Sequence, residues 1–367
     1  MLHRRTYVAD NQGLGDAGTR TFDLNMTDPI TAIWLKFQLV NGATDNRDNT
    51  LPPCITSIEV IDGADVLYSM TGAKAFALAA NYLGFMPRQE ISELGGAVVT
   101  FTVPVMFGRF IGDQEYSLDP TKFTNPQLRI TWNLAAVRAV ALTAYATGTL
   151  QVTAVAHVME GASSASHFLM SKEIYSWTST AAGTEFIDLP TDYPWRGLMM
   201  RGVLGGNAWH WMWDQIRINC DGGRFIAMNE RGWDVMNQLT MVNPRMHYKH
   251  EYRVNNGRLI YTVLGEHEQV SLISYGTPDM VIEFSPTSAG RGTTTILTGG
   301  IAQGAMVNAT ALVSGYNPYD CLYLPFGIQD DPADWFPAPD FKGVALEVRA
   351  GVNTALMSLA LVQDRAY

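Results

Sequence analysis

The chain reads as all-β: two tandem β-sandwiches, a short helix in each, and a long loop insertion in the second. Three observations predict this class. Segments rich in β-branched and aromatic residues recur between Gly, Pro, Asn and Asp clusters, the pattern of short strands and turns. Helical signals are rare and do not alternate with strands, which excludes a doubly wound parallel sheet. The order of signals in the first half returns in the second, and 367 residues suit about two domains.

The first-half strands are predicted at Thr31 to Val40, Ala97 to Val105, Leu128 to Asn133 and Thr149 to Met159. Those of the second half are expected at Trp209 to Ile218, Tyr248 to Val254, Leu259 to Val263, Asp279 to Phe284 and Val344 to Arg349, with Asn256-Gly257 as a hairpin turn. Two segments read as helix. Gly72 to Leu83 is dense in Ala and Leu, and Glu230 to Leu239 places Trp233, Met236 and Leu239 at intervals of three.

The repeat carries the domain division. Ile58 to Val60 leads to Asp62-Gly63, Val66-Leu67 and a helix; Ile216 to Ile218 leads to Asp221-Gly222, Phe225-Ile226 and a helix. Val103-Pro104 with Phe107-Gly108, then Asp119-Pro120, then a strand after Pro126 are matched by Leu324-Pro325-Phe326-Gly327, Asp331-Pro332, and Pro339 before Val344. Alternating strands, Thr149 to Met159 and Thr354 to Val362, close both copies. Asp62 and Pro104 lie 42 residues apart, Asp221 and Pro325 104 apart, so the second copy is longer by 62 there. The expected organisation is a flexible N-terminal arm over 1–18, a first sandwich over 19–160, a linker over 161–167, and a second sandwich over 168–367 with inserted loops between about 240 and 320.

Composition narrows the function. A net charge of -10 argues against coating nucleic acid or reading its sequence. Charged residues are only 16%, and Lys is scarce beside Arg, Met and Trp, a bias of contact surfaces, where hydrated and flexible Lys is disfavoured. No apolar run approaches the 18 residues of a membrane span. Cys54, Cys220 and Cys321 are odd in number and widely spaced, so neither a disulfide framework nor a zinc site is expected and a reducing assembly compartment fits best. Arg4 and Arg5 precede a polar run instead of an apolar stretch, so no secretory signal is expected. The two arginines in the arm are a candidate contact with neighbouring subunits or anionic lipid.

Gly13-Leu-Gly15-Asp-Ala-Gly18 matches a dinucleotide fingerprint in letters only, because no buried strand precedes it and no helix follows. His247, His250, Glu251 and His267 suggest a metal, but in a strand His247 and His250 point to opposite faces, and no metal is expected. Trp209, Trp211 and Trp213 alternate, and on a strand would share one face, either a core or contact wall or a platform for stacking on sugar rings. No nucleophile elbow, phosphate loop or glycosidase carboxylate pair is recognisable. No catalytic residue, metal or cofactor is assigned, and no enzyme is expected.

Two sandwich halves, each with an Asp-Gly hairpin before a helix, a Pro-Phe-Gly type strand end and an Asp-Pro before a Pro-anchored strand, resemble the double jelly-roll major capsid proteins of tailless icosahedral viruses, the adenovirus and membrane-containing phage lineage. The resemblance spans about Thr19 to Val362 and implies a structural subunit made in the host cytoplasm and residing in the virion. It implies homotrimers of pseudo-hexagonal outline that tile a shell, with neighbouring trimers, penton and minor capsid proteins, and an internal membrane as partners. A phage origin is expected, and the insertion would decorate the outer surface. The chain departs from the family in having one helix per half and no long amphipathic N-terminal helix. The alternative readings are a carbohydrate-active enzyme of two jelly rolls and a glycan-binding module, either using the Trp row.

Overall fold

The computed structural model describes residues 2–42, 51–92, 95–138, 145–204, 209–255, 258–261, 263–274, 280–284, 293–298 and 306–367, with backbone only at 91, 138, 252–255, 258–261, 267–274, 280–284, 293–298 and 306–309. The expected Asn256-Gly257 turn lies outside the described residues.

The first half contains β1 (Leu2–Gly13), β2 (Ala17–Asp23), β3 (Ile30–Val40), β4 (Ile55–Asp62), β5 (Asp65–Met70), helix α1 (Gly72–Leu83), β6 (Gln89–Ser92), β7 (Val98–Met106), β8 (Pro126–Asn133), a short α2 (Ala135–Arg138) and β9 (Gln151–Glu160). Its two sheets run β1-β9-β3-β7 and β2-β8-β4-β5. Alternation explains the sandwich: Leu35, Phe37 and Leu39 of β3, Phe101 and Val103 of β7, and Leu128 and Ile130 of β8 are buried, while Lys36, Gln38 and Arg129 point away. Phe37 lies directly opposite Phe101 in register, their rings stacked at 4.8 Å.

The second half contains β10 (His167–Thr178), β11 (Thr184–Leu189), β12 (Trp195–Val203), α3 (Trp209–Met212), β13 (Trp213–Cys220), β14 (Phe225–Arg231) and α4 (Gly232–Leu239). After an insertion come β21 (Cys321–Pro325), β22 (Val344–Ala350) and β23 (Leu356–Ala366). Its sheets are β10-β23-β12-β21 and β11-β22-β13-β14. Leaving the short β6 and the insertion aside, both halves pair first-eighth-third-sixth strand in one sheet and second-seventh-fourth-fifth in the other. The Asp62 and Asp221 turns both join the fourth strand to the fifth. Asp119 and Asp331 both cap a short 3-10 helix, accepting from the backbone N–H of Thr121 and Ala333 at 2.9 and 3.1 Å.

The insertion is itself β rather than loop. It comprises β15 (Met246–Asn255), β16 (Arg258–Tyr261), β17 (Leu264–Ser274), β18 (Met280–Phe284), β19 (Thr293–Thr298) and β20 (Met306–Pro318). Strand β15 pairs in parallel with β6, and β20 and β17 follow outward, so the insertion extends a sheet of the first sandwich; β16-β19-β18 form a separate small sheet.

The N-terminal segment corrects the expectation of a flexible arm. Strand β1 pairs with β9 from Leu2↔Glu160 to Gly13↔Gln151 and is a strand of the first sandwich. It looks unfoldable in sequence because it is an edge strand that buries little beyond Ala9; its order comes from main-chain pairing.

The halves stand side by side. Strand β5 pairs in parallel with β10, Tyr68↔Ser171 and Ser69↔Lys172, fusing two sheets edge to edge. Helix α1 is buried nearly all round from Gly72 to Ala80, as an apolar, Ala-rich helix must be. Strand β23 is apolar on both faces for the same reason: Leu359 and Leu361 enter the core of the second sandwich, while Ala360 and Val362 enter the larger core that holds α1.

Candidate assembly surfaces

Both sandwiches point the same way, because Arg109, between β7 and β8, donates to the carbonyl of Asp330, between β21 and β22, at 3.0 Å. One end of the molecule therefore carries the start of β1, the β4–β5 and β13–β14 turns, and both of these connections. The other carries α1, α3, α4, the β22–β23 turn and the root of the insertion.

The joint is polar as well as apolar. Lys74 of α1, 1% exposed, reaches Glu173 of β10 at 2.5 Å and Ser358 of β23 at 2.9 Å. Burial lowers the Lys74 pKa, and Glu173 opposes that shift. Arg365 forks onto Asp65 at 2.9 and 2.5 Å, and its hydrogen bonds hold the Asp65 carboxyl below its usual range. Tyr116 donates to Asp364 at 3.1 Å, and the Arg196 guanidinium lies 4.2 Å from the Tyr82 ring centre. Near Arg109, burial opposes ionisation of Asp113, but Nε and Nη2 of Arg109, at 2.7 and 2.9 Å, outweigh it and keep the carboxyl below its usual range.

At the end with the start of β1, Leu2, Phe110, Ile111, Phe225, Ile226 and Ile328 are exposed. Arg4 is held there by Asp28 and Glu160 at 3.8 and 3.6 Å, and Arg5 is exposed beside it on β1. Both arginines lie on an ordered strand, a correction to their expected place in a free arm.

At the opposite end the structure separates the three indoles expected to share a strand face. Trp209–Met212 is a helical turn and the strand starts only at Trp213. Trp209 and Trp213 are buried and stacked at 5.5 Å, whereas Trp211 is 46% exposed. Trp233 of α4 also leaves the buried stripe formed by Val235, Met236 and Leu239, and is 52% exposed. The His210 ring stands between the two exposed indoles, 5.6 Å from Trp211 and 4.4 Å from Trp233. Sequence spacing missed this grouping, because Trp233 arrives from another element.

In β15, Met246, Tyr248 and His250 are buried while His247 and Lys249 are exposed, so the two histidines do face opposite ways. The side chain of His267 lies outside the described residues. Among the described residues no three His, Cys, Asp or Glu side chains form a metal cluster.

Over almost its whole length the chain superposes on three solved viral capsid proteins. The major capsid protein P2 of bacteriophage PM2 has a TM-score of 0.55 at 10% identity, covering 100% of this chain and 98% of that one. The major capsid protein of STIV, Sulfolobus turreted icosahedral virus, gives 0.58 at 9%, covering 99% and 96%. The capsid of the virus PBCV-1 gives 0.53 at 11%, covering 99% and 93%. This chain has a double jelly-roll fold. The shared strand order of its two jelly rolls is the internal counterpart of that likeness. No family model matches this chain, and no curated protein matches it by sequence.

Proposed function

We propose that this protein is a structural capsid subunit, not an enzyme, that assembles as a homotrimer and tiles the shell of an icosahedral virion. The observation that carries the reading is the fusion of two like-ordered jelly rolls through the β5–β10 pairing, with both standing the same way up. A subunit with two similar lobes yields a six-lobed outline when three copies meet about an axis, and six-fold outlines tile. The paucity of charge and of Lys fits a surface covered by neighbours.

In this reading each jelly roll is a unit, divided near residues 161–167, and the insertion end faces outward. The opposite end, where exposed apolar side chains gather with Arg4, Arg5, Arg224 and Lys342, faces the interior and an internal membrane. Basic groups near an anionic surface contribute about 1 kcal/mol each, so that end tunes contact with lipid more than it anchors the subunit. Bacteriophage origin, synthesis in a host cytoplasm, and penton and minor proteins as further partners belong to the same proposal.

Light scattering on the purified protein tests it. A trimer has a mass near 121 kDa, three times 40.4 kDa. A stable monomer at micromolar concentration in assembly-like salt, with no particles by negative-stain microscopy, sinks the proposal.

A further inference from the structure

At the insertion end of the second jelly roll a cleft of about 330 Å³ opens between α3, the start of α4 and the β22–β23 turn. His210, Trp211, Asp214, Arg231 and Trp233 line it, with Gly351 at its edge. We propose that this cleft binds a pyranose ring of a glycan.

The walls make the case. Two indoles on different elements leave about half their surface open beside one hollow, although large apolar rings are ordinarily buried. A flat aromatic face matches the C–H face of a pyranose, while the hydroxyl rim of the sugar needs donors and acceptors nearby. Asp214 and Arg231 supply them. A cleft this size lies at the small end of the roughly 300–1,000 Å³ of ligand sites, room for one ring and not a chain. Arg349 pairs with Asp214 at 3.4 Å and Arg231 lines the same cleft, so the one carboxylate there is already neutralised and a further cation remains. That balance disfavours a quaternary ammonium, the other common guest of an aromatic cluster, and admits neutral and acidic sugars.

The cleft is built rather than incidental. A Cβ on Gly351 would stand 2.4 Å from the Trp211 carbonyl oxygen, and one on Gly232 would stand 1.7 Å from that of Trp213. Only glycine lets the β22–β23 turn close so tightly on α3, and α4 on the start of β13. The site needs no second subunit; its outward placement on a particle rests on the capsid reading, but binding does not.

Saturation-transfer NMR on the full chain tests the inference, using methyl glycosides of galactose, glucose, mannose and N-acetylglucosamine, sialyllactose as the acidic arm, and choline as the competing chemistry. We expect transfer to at least one sugar and none to choline. Trp211→Ala and Trp233→Ala, both at exposed positions, should each weaken binding about tenfold with an unchanged melting temperature, and Trp211→Phe should restore part of it. Loss of binding to sialyllactose alone in Arg231→Gln assigns that arginine to a sugar carboxylate and supports the proposal. No transfer to any sugar, transfer that survives both Trp substitutions, or preference for choline overturns it. Because the readout is ligand binding, not particle formation, failure here leaves the capsid reading standing.

Discussion

The ammonium of Lys74 lies 2.5 Å from the carboxylate of Glu173, although one sits on the helix of the first jelly roll and the other on the opening strand of the second. Lys74 is buried and Glu173 is partly exposed, so the pair anchors the joint where α1 enters the shared core. Removing one partner of a buried pair costs about 3–5 kcal/mol, while replacing the whole pair by apolar side chains of similar volume is often tolerated. Lys74→Met alone should therefore destabilise by about 3 kcal/mol, and the double variant Lys74→Met with Glu173→Leu by much less. Urea unfolding decides; a double variant no more stable than the single one would show that the carboxylate left unpaired at Glu173 is not what the joint loses.

The two Asp-Gly turns hold the following sheet by the same device. Asp62 accepts from the backbone N–H groups of Thr124 and Asn125 at 3.0 and 2.7 Å, just before β8, and Asp221 accepts from that of Lys342 at 2.8 Å, just before β22. Asp62→Ala and Asp221→Ala should each cost about 1–2 kcal/mol. Being in different jelly rolls, they should add within about 0.5 kcal/mol in the double variant. Strong non-additivity in denaturant melts would contradict their independence.

Deletion of residues 2–13 should abolish cooperative folding. The cut removes β1, strips Ala9 from the core and bares the whole edge of β9, a row of unpaired N–H and C=O groups. Circular dichroism and solubility report the outcome. A truncated chain that melts at the wild-type temperature would mean that β1 is a dispensable arm after all.

Acid should loosen the attachment of the insertion. His250 lies on β15 where it pairs with β6, and burial pushes its imidazole down to about 3 from an ordinary value of 6.5. Between those values the unfolded chain binds a proton that the folded one does not, so stability is full above pH 6.5 and falls as pH drops toward 3. Hydrogen exchange of β15 amides should rise over that window, less so in His250→Gln. Profiles that coincide for the two proteins would assign the acid sensitivity to other groups.

Much of the fold is legible without coordinates. The helix at Gly72–Leu83, the strands around Phe37, Phe101, Ile130 and Ala154, and the paired Asp62 and Asp221 turns all follow from local period and turn chemistry, because each depends on residues close in sequence. The resemblance to double jelly-roll capsid proteins rested on the order of those local signals.

Tertiary structure decided the rest. Residues four apart share a face in a helix and in a strand alike, so Trp209 and Trp213 go inward under either reading, and only Trp211 distinguishes them. Strand β1 has a polar sequence and owes its order to pairing with β9, some 150 residues away. The insertion leaves the second jelly roll but joins the sheet of the first through β6 and β15, and Trp233 meets His210 across two elements. Periodicity records which side of an element is buried; which distant element buries it is set by long-range pairing, whose partners are not neighbours in the chain.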